Sequence, residues 1–201
     1  MKEFVDFETV RNNAFALARR IFDDGFKPDV MYVSMRGGAY MGNAMNEFFK
    51  VAYGENYDIT FATLVARSYS GVHSSGEVIL DGWTFPPEKL ASENKVLIVD
   101  DICDSGKTFK LLCDFLLKVG LKRENIKFAV HDYKCFHNLQ DHSVDFVPDY
   151  YCKKHDITSE EENNWIHYLS HELTGLTSAE LDDFYFKKYP ELKDVFEGIL
   201  P

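Results

Sequence analysis

The chain has 201 residues, of which 45% are hydrophobic and 15% aromatic, and its formal net charge is −11 at pH 7. A chain of this length and apolar content can bury a core as one domain without a disulfide or metal, so a disordered chain is excluded. The negative charge excludes a protein that coats a nucleic-acid duplex, but a local set of amide and cationic groups can still bind a small anion.

Features of membrane, secreted and zinc proteins do not occur in the sequence. No apolar run approaches the ~18 residues of a membrane span, and the N-terminal segment is acidic and polar where a secretion signal is basic and then apolar. His167 and His171 are four apart, but the Glu that follows the first His in a zinc-protease helix does not occur. We therefore expect a cytoplasmic protein with no membrane or nucleic-acid partner.

The cysteines indicate reduced thiols, because no two of Cys103, Cys113, Cys135 and Cys152 form a Cys-x-x-Cys motif.

The first half of the chain alternates helical and strand patterns. Apolar residues three and four apart predict a helix from Phe7 to Ile21, which ends near Gly25. A strand over Val30–Ser34 then meets a glycine turn, a helix containing Phe48 follows, and Ile59–Val65 is a second strand. Residues 67–86 show no sustained hydrophobic periodicity, so we expect a long loop that leaves the sheet, with at most a short strand near Leu80.

The second half continues this alternation and then changes character. Lys95–Val99 is a buried strand of the parallel type, and a helix with Phe109, Leu112, Leu116 and Val119 on one face ends at Gly120. Lys127–Tyr133 and Phe146–Cys152 are further predicted strands. Beyond residue 152 the pattern is polar and helical, with predicted capping boxes at Ser159 to Glu162 and Thr177 to Glu180. This order predicts an α/β fold with a mostly parallel central sheet flanked by helices, in a single domain over 1–201.

The most informative stretch runs from Val96 to Thr108. A buried strand delivers Asp100 and Asp101 to its carboxyl end, where ligands of parallel sheets bind, and Ser105–Thr108 then turns into a helix. Amides of such a turn, aided by the helix dipole, form a phosphate site, and the Ser105 and Thr108 hydroxyls can add donors. A Walker A loop is excluded because its first glycine would fall at position 101. Paired acids suit a sugar diol and can share Mg²⁺, so one site would bind a ribose and its 5′-phosphate.

These thirteen positions resemble the phosphoribosyl pyrophosphate (PRPP) motif of type I phosphoribosyltransferases. Three further segments are similar to the 6-oxopurine enzymes of that family, which act on hypoxanthine, guanine or xanthine. Ser34–Gly38 resembles their pyrophosphate loop, which often has a cis peptide before its basic residue. Arg67–Tyr69 resembles the start of their catalytic lid, and Lys134 stands where they place a lysine that donates to the purine O6. Asp149–Tyr151 and Trp165–Ile166 resemble their hood, although Cys152–Asn164 is longer than the family pattern leads us to expect.

The resemblance implies an enzyme that transfers the phosphoribosyl group of PRPP to N9 of a 6-oxopurine and releases pyrophosphate. It also implies a small hood and a helical C-terminal extension over roughly 146–201, and a homo-oligomer, either a dimer or a tetramer. The implied catalytic residues are Asp104, for the proton at purine N7, and Arg36. The residues implied to bind PRPP are Asp100, Asp101, Ser105, Gly106, Lys107, Thr108, Gly37 and Gly38. Asp100 and Asp101 would hold Mg²⁺ directly or through water, Ser68 and Tyr69 belong to the lid, and Lys134, Trp165 and Ile166 contact the base.

Two other functions stay open at the level of sequence. A regulatory module could keep the phosphoribosyl site to sense a nucleotide without turnover, although it would not need Asp104. An enzyme of the same fold acting on orotate or another base would differ at Lys134 and in the hood. The sequence does not distinguish hypoxanthine, guanine and xanthine as the base.

Overall fold

The protein is built on a six-stranded sheet. A computed structural model describes residues 1–54, 56–68, 78–137, 139 and 144–198. The strand order is β4-β3-β2-β5-β6-β7, with only the β3–β4 pair antiparallel, and β1 and β8 form a separate parallel pair. The strands are β1 Lys2–Val5, β2 Val30–Ser34, β3 Thr60–Ser68, β4 Val78–Asp81, β5 Val96–Cys103, β6 Ile126–Phe136, β7 Tyr150–Ile157 and β8 Trp165–Tyr168; the α-helices are α1 Phe7–Asp23, α2 Ala39–Tyr53, α3 Lys107–Val119, α4 Ser178–Leu181 and α5 Leu192–Phe196.

Helices cover both faces of this sheet, which is why its central strands are apolar throughout. Alternate residues of β2 face opposite sides, so Met31 and Val33 pack with α1 and α2, whereas Val30 and Tyr32 pack with α3. The predicted α/β class and mostly parallel sheet are confirmed. In the described part of the chain no helix is long and apolar enough to cross a membrane. All four cysteines are free.

The predicted boundaries fail after residue 145. The strand predicted over Phe146–Cys152 begins and ends later, because β7 spans Tyr150–Ile157. The helical character predicted beyond residue 152 is wrong up to Tyr168, because β7 pairs with β6 and β8 pairs with β1. The capping box at Ser159 is also wrong. The Ser159 side chain makes no capping bond, and Glu162 accepts hydrogen bonds from Thr158 beside a single 3₁₀ turn. The capping box of Thr177 and Glu180 is confirmed, and short helices follow it.

The β1–β8 pair fastens the C-terminal part of the chain to its beginning. Lys2 Nζ lies 2.8 Å from Glu180 Oε2 and donates to the Gly175 carbonyl oxygen at 2.6 Å. The Tyr185 hydroxyl donates to the Leu169 carbonyl oxygen at 2.6 Å. The Lys2 contacts join residues 173 and 178 positions apart in the chain, whereas the Tyr185 contact holds the segment after β8 to its own end.

A buried carboxylate, Asp132 of β6, links the main sheet to β8. It accepts hydrogen bonds from His131 Nδ1 at 2.6 Å, His155 Nε2 at 2.7 Å and the Tyr168 hydroxyl at 2.6 Å. Burial alone raises the pKa of Asp132, but the hydrogen bonds and the nearby His131 outweigh it and hold that pKa below 3.8. A lowered folded-state pKa means that the charged Asp132 stabilises the fold above its ordinary pKa, and that this stabilisation is lost as pH falls below it.

Replacing Asp132 with Asn tests this link. Asp132→Asn keeps the size but removes the charge and sets an amide N–H against existing donors, so we expect the free energy of unfolding at pH 7 to fall by about 2–3 kcal/mol. The deficit should shrink as pH falls below about 4, in urea titrations at several pH values. Asp156→Asn is the matched control: Asp156 also contacts a His and a Lys, but it is exposed and should change stability by under about 0.5 kcal/mol. Equal effects of the two variants would contradict the role of Asp132.

Candidate active site

Three adjoining cavities lie along the carboxyl ends of β2, β5 and β6. The acid cavity of about 320 Å³ and the turn cavity of about 210 Å³ share Asp100. The turn cavity and the lysine cavity of about 220 Å³ share Asp104, Ser105 and Gly106. The acid cavity is lined by Ser34, Met35, Arg36, Gly37, Ala66, Asp100, Asp101, His171, Glu172 and Thr174; the turn cavity by Asp100, Ile102–Gly106, Thr108 and Phe109; the lysine cavity by Asp104–Gly106, Tyr133–Phe136 and Val144–Val147. A ligand with several anionic groups could therefore extend along the carboxyl ends of these strands.

The turn after β5 has the geometry of an anion site. Gly106 adopts a φ of +75°, which L side chains rarely adopt, and α3 begins at the next residue. The unpaired amides of the first helical turn and the positive end of the helix dipole lie at this point. Ser105 and Thr108 are half-buried and line the turn cavity, whereas the Lys107 side chain is exposed.

A glycine loop packs directly against the end of β5. A Cβ on Gly37 would lie 2.3 Å from Asp101 Oδ1, and one on Gly38 would lie 2.5 Å from the Val99 carbonyl oxygen. The backbone atoms around Gly38 cannot move aside, so glycine is required there for close approach, whereas a side chain at Gly37 would displace the Asp101 carboxylate. The Met35–Arg36 peptide bond is cis, as the resemblance implies. The exposed Arg36 lines the acid cavity across from the paired acids.

The paired acids repel each other. Burial raises the pKa of Asp100 well above its ordinary value of 3.8, and the charge of Asp101 raises it further. The Asp100 carboxylate accepts a hydrogen bond from the Asp101 amide at 3.0 Å, so it is held beside its like-charged neighbour. Adjacent carboxylates are the ligands that Mg²⁺ prefers, and a cation would relieve their repulsion, so this donor set fits the metal. Burial also raises the pKa of the Cys103 thiol to about 12, which excludes it as a nucleophile at neutral pH.

The predicted N7 acid and the predicted O6 lysine form an ion pair. Lys134 Nζ lies 3.2 Å from Asp104 Oδ1, and the lysine is only 6% exposed although Asp104 is open to solvent. Lys134 also donates to Asn163 Oδ1 at 2.9 Å. The structure thus brings Asp104 and Lys134 together at the lysine cavity, 30 positions apart in the chain.

The predicted hood and lid residues are less tightly grouped. Trp165 is 60% exposed at the start of β8 and is not among the residues that line the three cavities. The Ile166 side chain is buried in the core, so only its backbone groups remain for a contact with a base. Ser68 ends β3, and Tyr69 lies outside the described residues. The roles of these four residues stay predictions.

Residues that the sequence did not predict complete the acid cavity. His171, Glu172 and Thr174 follow β8 and line the cavity wall. His171 Nε2 lies 3.2 Å from Asp101 Oδ2, and the His171 ring stacks on Tyr168 at 5.5 Å. The spacing of His167 and His171 gives no signal for this role, because the contact joins positions 70 apart.

A second set of possible metal ligands lies beside the lysine cavity. Atoms of Cys135, His137 and Asp156 lie within 4.8 Å of one another. Lys154 Nζ is 2.7 Å from Asp156 Oδ1, and His137 Nε2 lies 2.7 Å from the same oxygen. A metal ion here would have to displace the lysine ammonium, so Asp100 and Asp101 are the better candidates.

Comparisons with known proteins identify the family and the fold. Residues 6–167 match the phosphoribosyl transferase domain family. The chain is similar to a purine phosphoribosyltransferase from Pyrococcus horikoshii Ot3, with a TM-score of 0.64 and 25% identity over 88% of this chain and 98% of that one. It is similar to a hypothetical protein from Neisseria gonorrhoeae with bound ppGpp (TM-score 0.63, 21% identity, 87% of this chain and 91% of that one). It is also similar to a xanthine-guanine-hypoxanthine phosphoribosyltransferase from Helicobacter pylori (TM-score 0.56, 18% identity, 84% and 92%). No curated protein sequence matches significantly.

The repulsion at the acid cavity predicts a stability gain on neutralisation. A carboxylate whose folded-state pKa is raised destabilises the fold at a pH above that pKa, so Asp100→Asn should raise the free energy of unfolding at pH 7 by about 1 kcal/mol without added Mg²⁺. The gain should vanish below about pH 3, where Asp100 is protonated in both the folded and the unfolded state. Denaturant titrations measure it, with the partly exposed Asp114→Asn as control. A less stable Asp100→Asn variant would contradict the claim that repulsion between Asp100 and Asp101 destabilises the fold.

Proposed function

Because the chain belongs to the phosphoribosyl transferase domain family, we propose that it transfers the phosphoribosyl group of PRPP to N9 of a 6-oxopurine. The products are pyrophosphate and a nucleoside monophosphate. The observation that carries the proposal is the set of groups along the carboxyl ends of β2, β5 and β6: Arg36 beside the paired acids, the turn before α3, and Asp104 paired with Lys134. The pyrophosphate, ribose and 5′-phosphate of PRPP and the incoming base need these groups, with the base and the pyrophosphate both reaching C1′.

The donor would lie across the acid and turn cavities. Amides of the Ser105–Thr108 turn and the hydroxyls of Ser105 and Thr108 would bind the 5′-phosphate. Asp100 and Asp101 would accept hydrogen bonds from the ribose hydroxyls. Arg36 would balance the charge of the leaving pyrophosphate, because departure of that group leaves cationic character at C1′ and negative charge on the leaving oxygens. Bound Mg²⁺, held by the paired acids, would supply further positive charge to pyrophosphate oxygens.

The base would lie beside Asp104 and Lys134. Lys134 can donate to a 6-oxo acceptor, whereas the 6-amino group of adenine would set donor against donor and leave both unpaired. Asp104 is open to solvent and can take the proton at N7 as the new bond to N9 forms. The predicted lid at Ser68 and Tyr69 would exclude water from C1′.

Assembly into a dimer or tetramer, which the family resemblance implies, stays a prediction.

A second candidate function rests on one comparison. The similar Neisseria gonorrhoeae protein has ppGpp bound, so a module that binds a guanosine polyphosphate without turnover is the alternative. The two functions differ in what they require of Asp104, which only the transfer reaction needs.

Asp104→Asn separates these functions. Loss of the proton acceptor should lower kcat about 100-fold while the KM for PRPP changes less than about twofold, because the proposed role of Asp104 is toward N7 of the base, whereas Arg36, the paired acids and the Ser105–Thr108 turn bind PRPP. The assay follows base consumption with PRPP and Mg²⁺, and Asp114→Asn on α3 is the control. A wild-type protein that binds guanosine polyphosphate but consumes hypoxanthine, guanine, xanthine and adenine not at all would favour the sensing module instead.

Lys134→Ala tests recognition of the 6-oxo group. Removal of the donor should lower kcat/KM for hypoxanthine about 30-fold, since a hydrogen bond from a charged donor is lost, and should leave the low activity with adenine nearly unchanged. Equal losses with both bases would mean that Lys134 does not read the 6-position.

A further inference from the structure

The segment between β7 and β8 provides a contact to Lys134 that the family resemblance does not account for. It includes Asn163, near the end of the stretch Cys152–Asn164 that exceeds the expected length. Asn163 is half-buried and stands two positions before Trp165. Its Oδ1 accepts a hydrogen bond from Lys134 Nζ at 2.9 Å. The following inference rests on the proposed function and concerns how that function selects its base.

Chemistry fixes the orientation of this contact. An ammonium group has three N–H donors and no acceptor, so the Asn163 atom that faces it must be the carbonyl oxygen Oδ1. Lys134 is 94% buried, so water cannot substitute freely for protein acceptors. Within the described residues two acceptors contact the ammonium, Asn163 Oδ1 and Asp104 Oδ1. One N–H of the three therefore remains for a ligand.

We propose that Asn163 is a positioning residue that sets the specificity of the site for a base with an acceptor at its 6-position. Asn163, which is not among the residues that line the lysine cavity, holds the ammonium of Lys134 and leaves the remaining N–H for the 6-oxo group. It also keeps Lys134 in place when Asp104 leaves the ion pair to meet N7.

The competing ion pair explains why such an anchor is needed. Lys134 and Asp104 contact each other at 3.2 Å, so each is already paired with a group that the base must bind. A lysine side chain is long and flexible, and without a second acceptor it would follow the carboxylate. A neutral amide can hold the ammonium without competing for the proton at N7, because it is not a base at neutral pH.

Four forms of the full-length protein test the proposal: the wild type, Asn163→Ala, Asn163→Asp and the adjacent control Asn164→Ala. Initial rates with Mg²⁺ are measured against hypoxanthine, adenine and PRPP. We expect Asn163→Ala to raise the KM for hypoxanthine about tenfold, to lower the hypoxanthine-over-adenine ratio of kcat/KM about tenfold, and to leave the KM for PRPP within about twofold. Asn163→Asp retains the acceptor oxygen and should restore the ratio to within about threefold of the wild type.

A double-variant cycle shows whether Asn163 acts through Lys134. In the Lys134→Ala background the further change Asn163→Ala should alter the KM for hypoxanthine by less than about twofold. A tenfold effect in that background, or an unchanged ratio in Asn163→Ala with the wild type active, would overturn the inference and leave the proposed function intact. Calorimetric titration with inosine monophosphate gives a readout independent of turnover, with Asn163→Ala expected to bind about tenfold more weakly. A wild type that neither consumes a base nor binds this nucleotide would overturn the proposed function itself.

Discussion

The repulsion between Asp100 and Asp101 is the constraint on which the rest of the site depends. The strand β5, whose first four residues are buried, holds both acids at its carboxyl end, and the Asp101 amide donates a hydrogen bond to the Asp100 carboxylate. The glycine loop packs so closely on them that a Cβ on Gly38 would clash with the β5 backbone and one on Gly37 would displace the Asp101 carboxylate. The fold therefore keeps two carboxylates together, and within the described residues the side chain that pairs with them is His171, whose Nε2 lies 3.2 Å from Asp101 Oδ2. Such strain at a binding site is relieved by ligands, in this case hydroxyl donors or a cation.

The second structural requirement is that the end of the main sheet and β8 stay together. Asp132 satisfies it by accepting from groups on β6, β7 and β8 at once, and the Tyr168 hydroxyl also lies 3.1 Å from the Asp101 carbonyl oxygen. Through this contact the loop after β8 brings His171 to the wall of the acid cavity. A polar network below the site, rather than apolar packing alone, therefore sets the distance between β8 and the paired acids.

How much could be predicted from the sequence depended on whether the information was local. The turn from Asp100 to Thr108 is contiguous, and its strand, acids, glycine and helix start each leave a pattern, so it could be predicted. The β1–β8 pair could not, because strands of four residues are too short to show a period. The bounds of β7 were missed because the exposed Lys153 and Lys154 at its centre interrupt the apolar pattern of a buried strand. His171 and Asn163 reach the site through contacts 70 and 29 positions apart in the chain. Contacts of that range are set by topology, and no local pattern records them.

A crystal structure with inosine monophosphate and Mg²⁺ tests the central claim most directly. The account predicts the phosphate on the amides of Ser105–Thr108, the ribose hydroxyls on Asp100 and Asp101, and the 6-oxo oxygen within hydrogen-bond distance of Lys134 Nζ. A nucleotide bound in the reverse direction, or at a surface away from the carboxyl ends of β5 and β6, would contradict it.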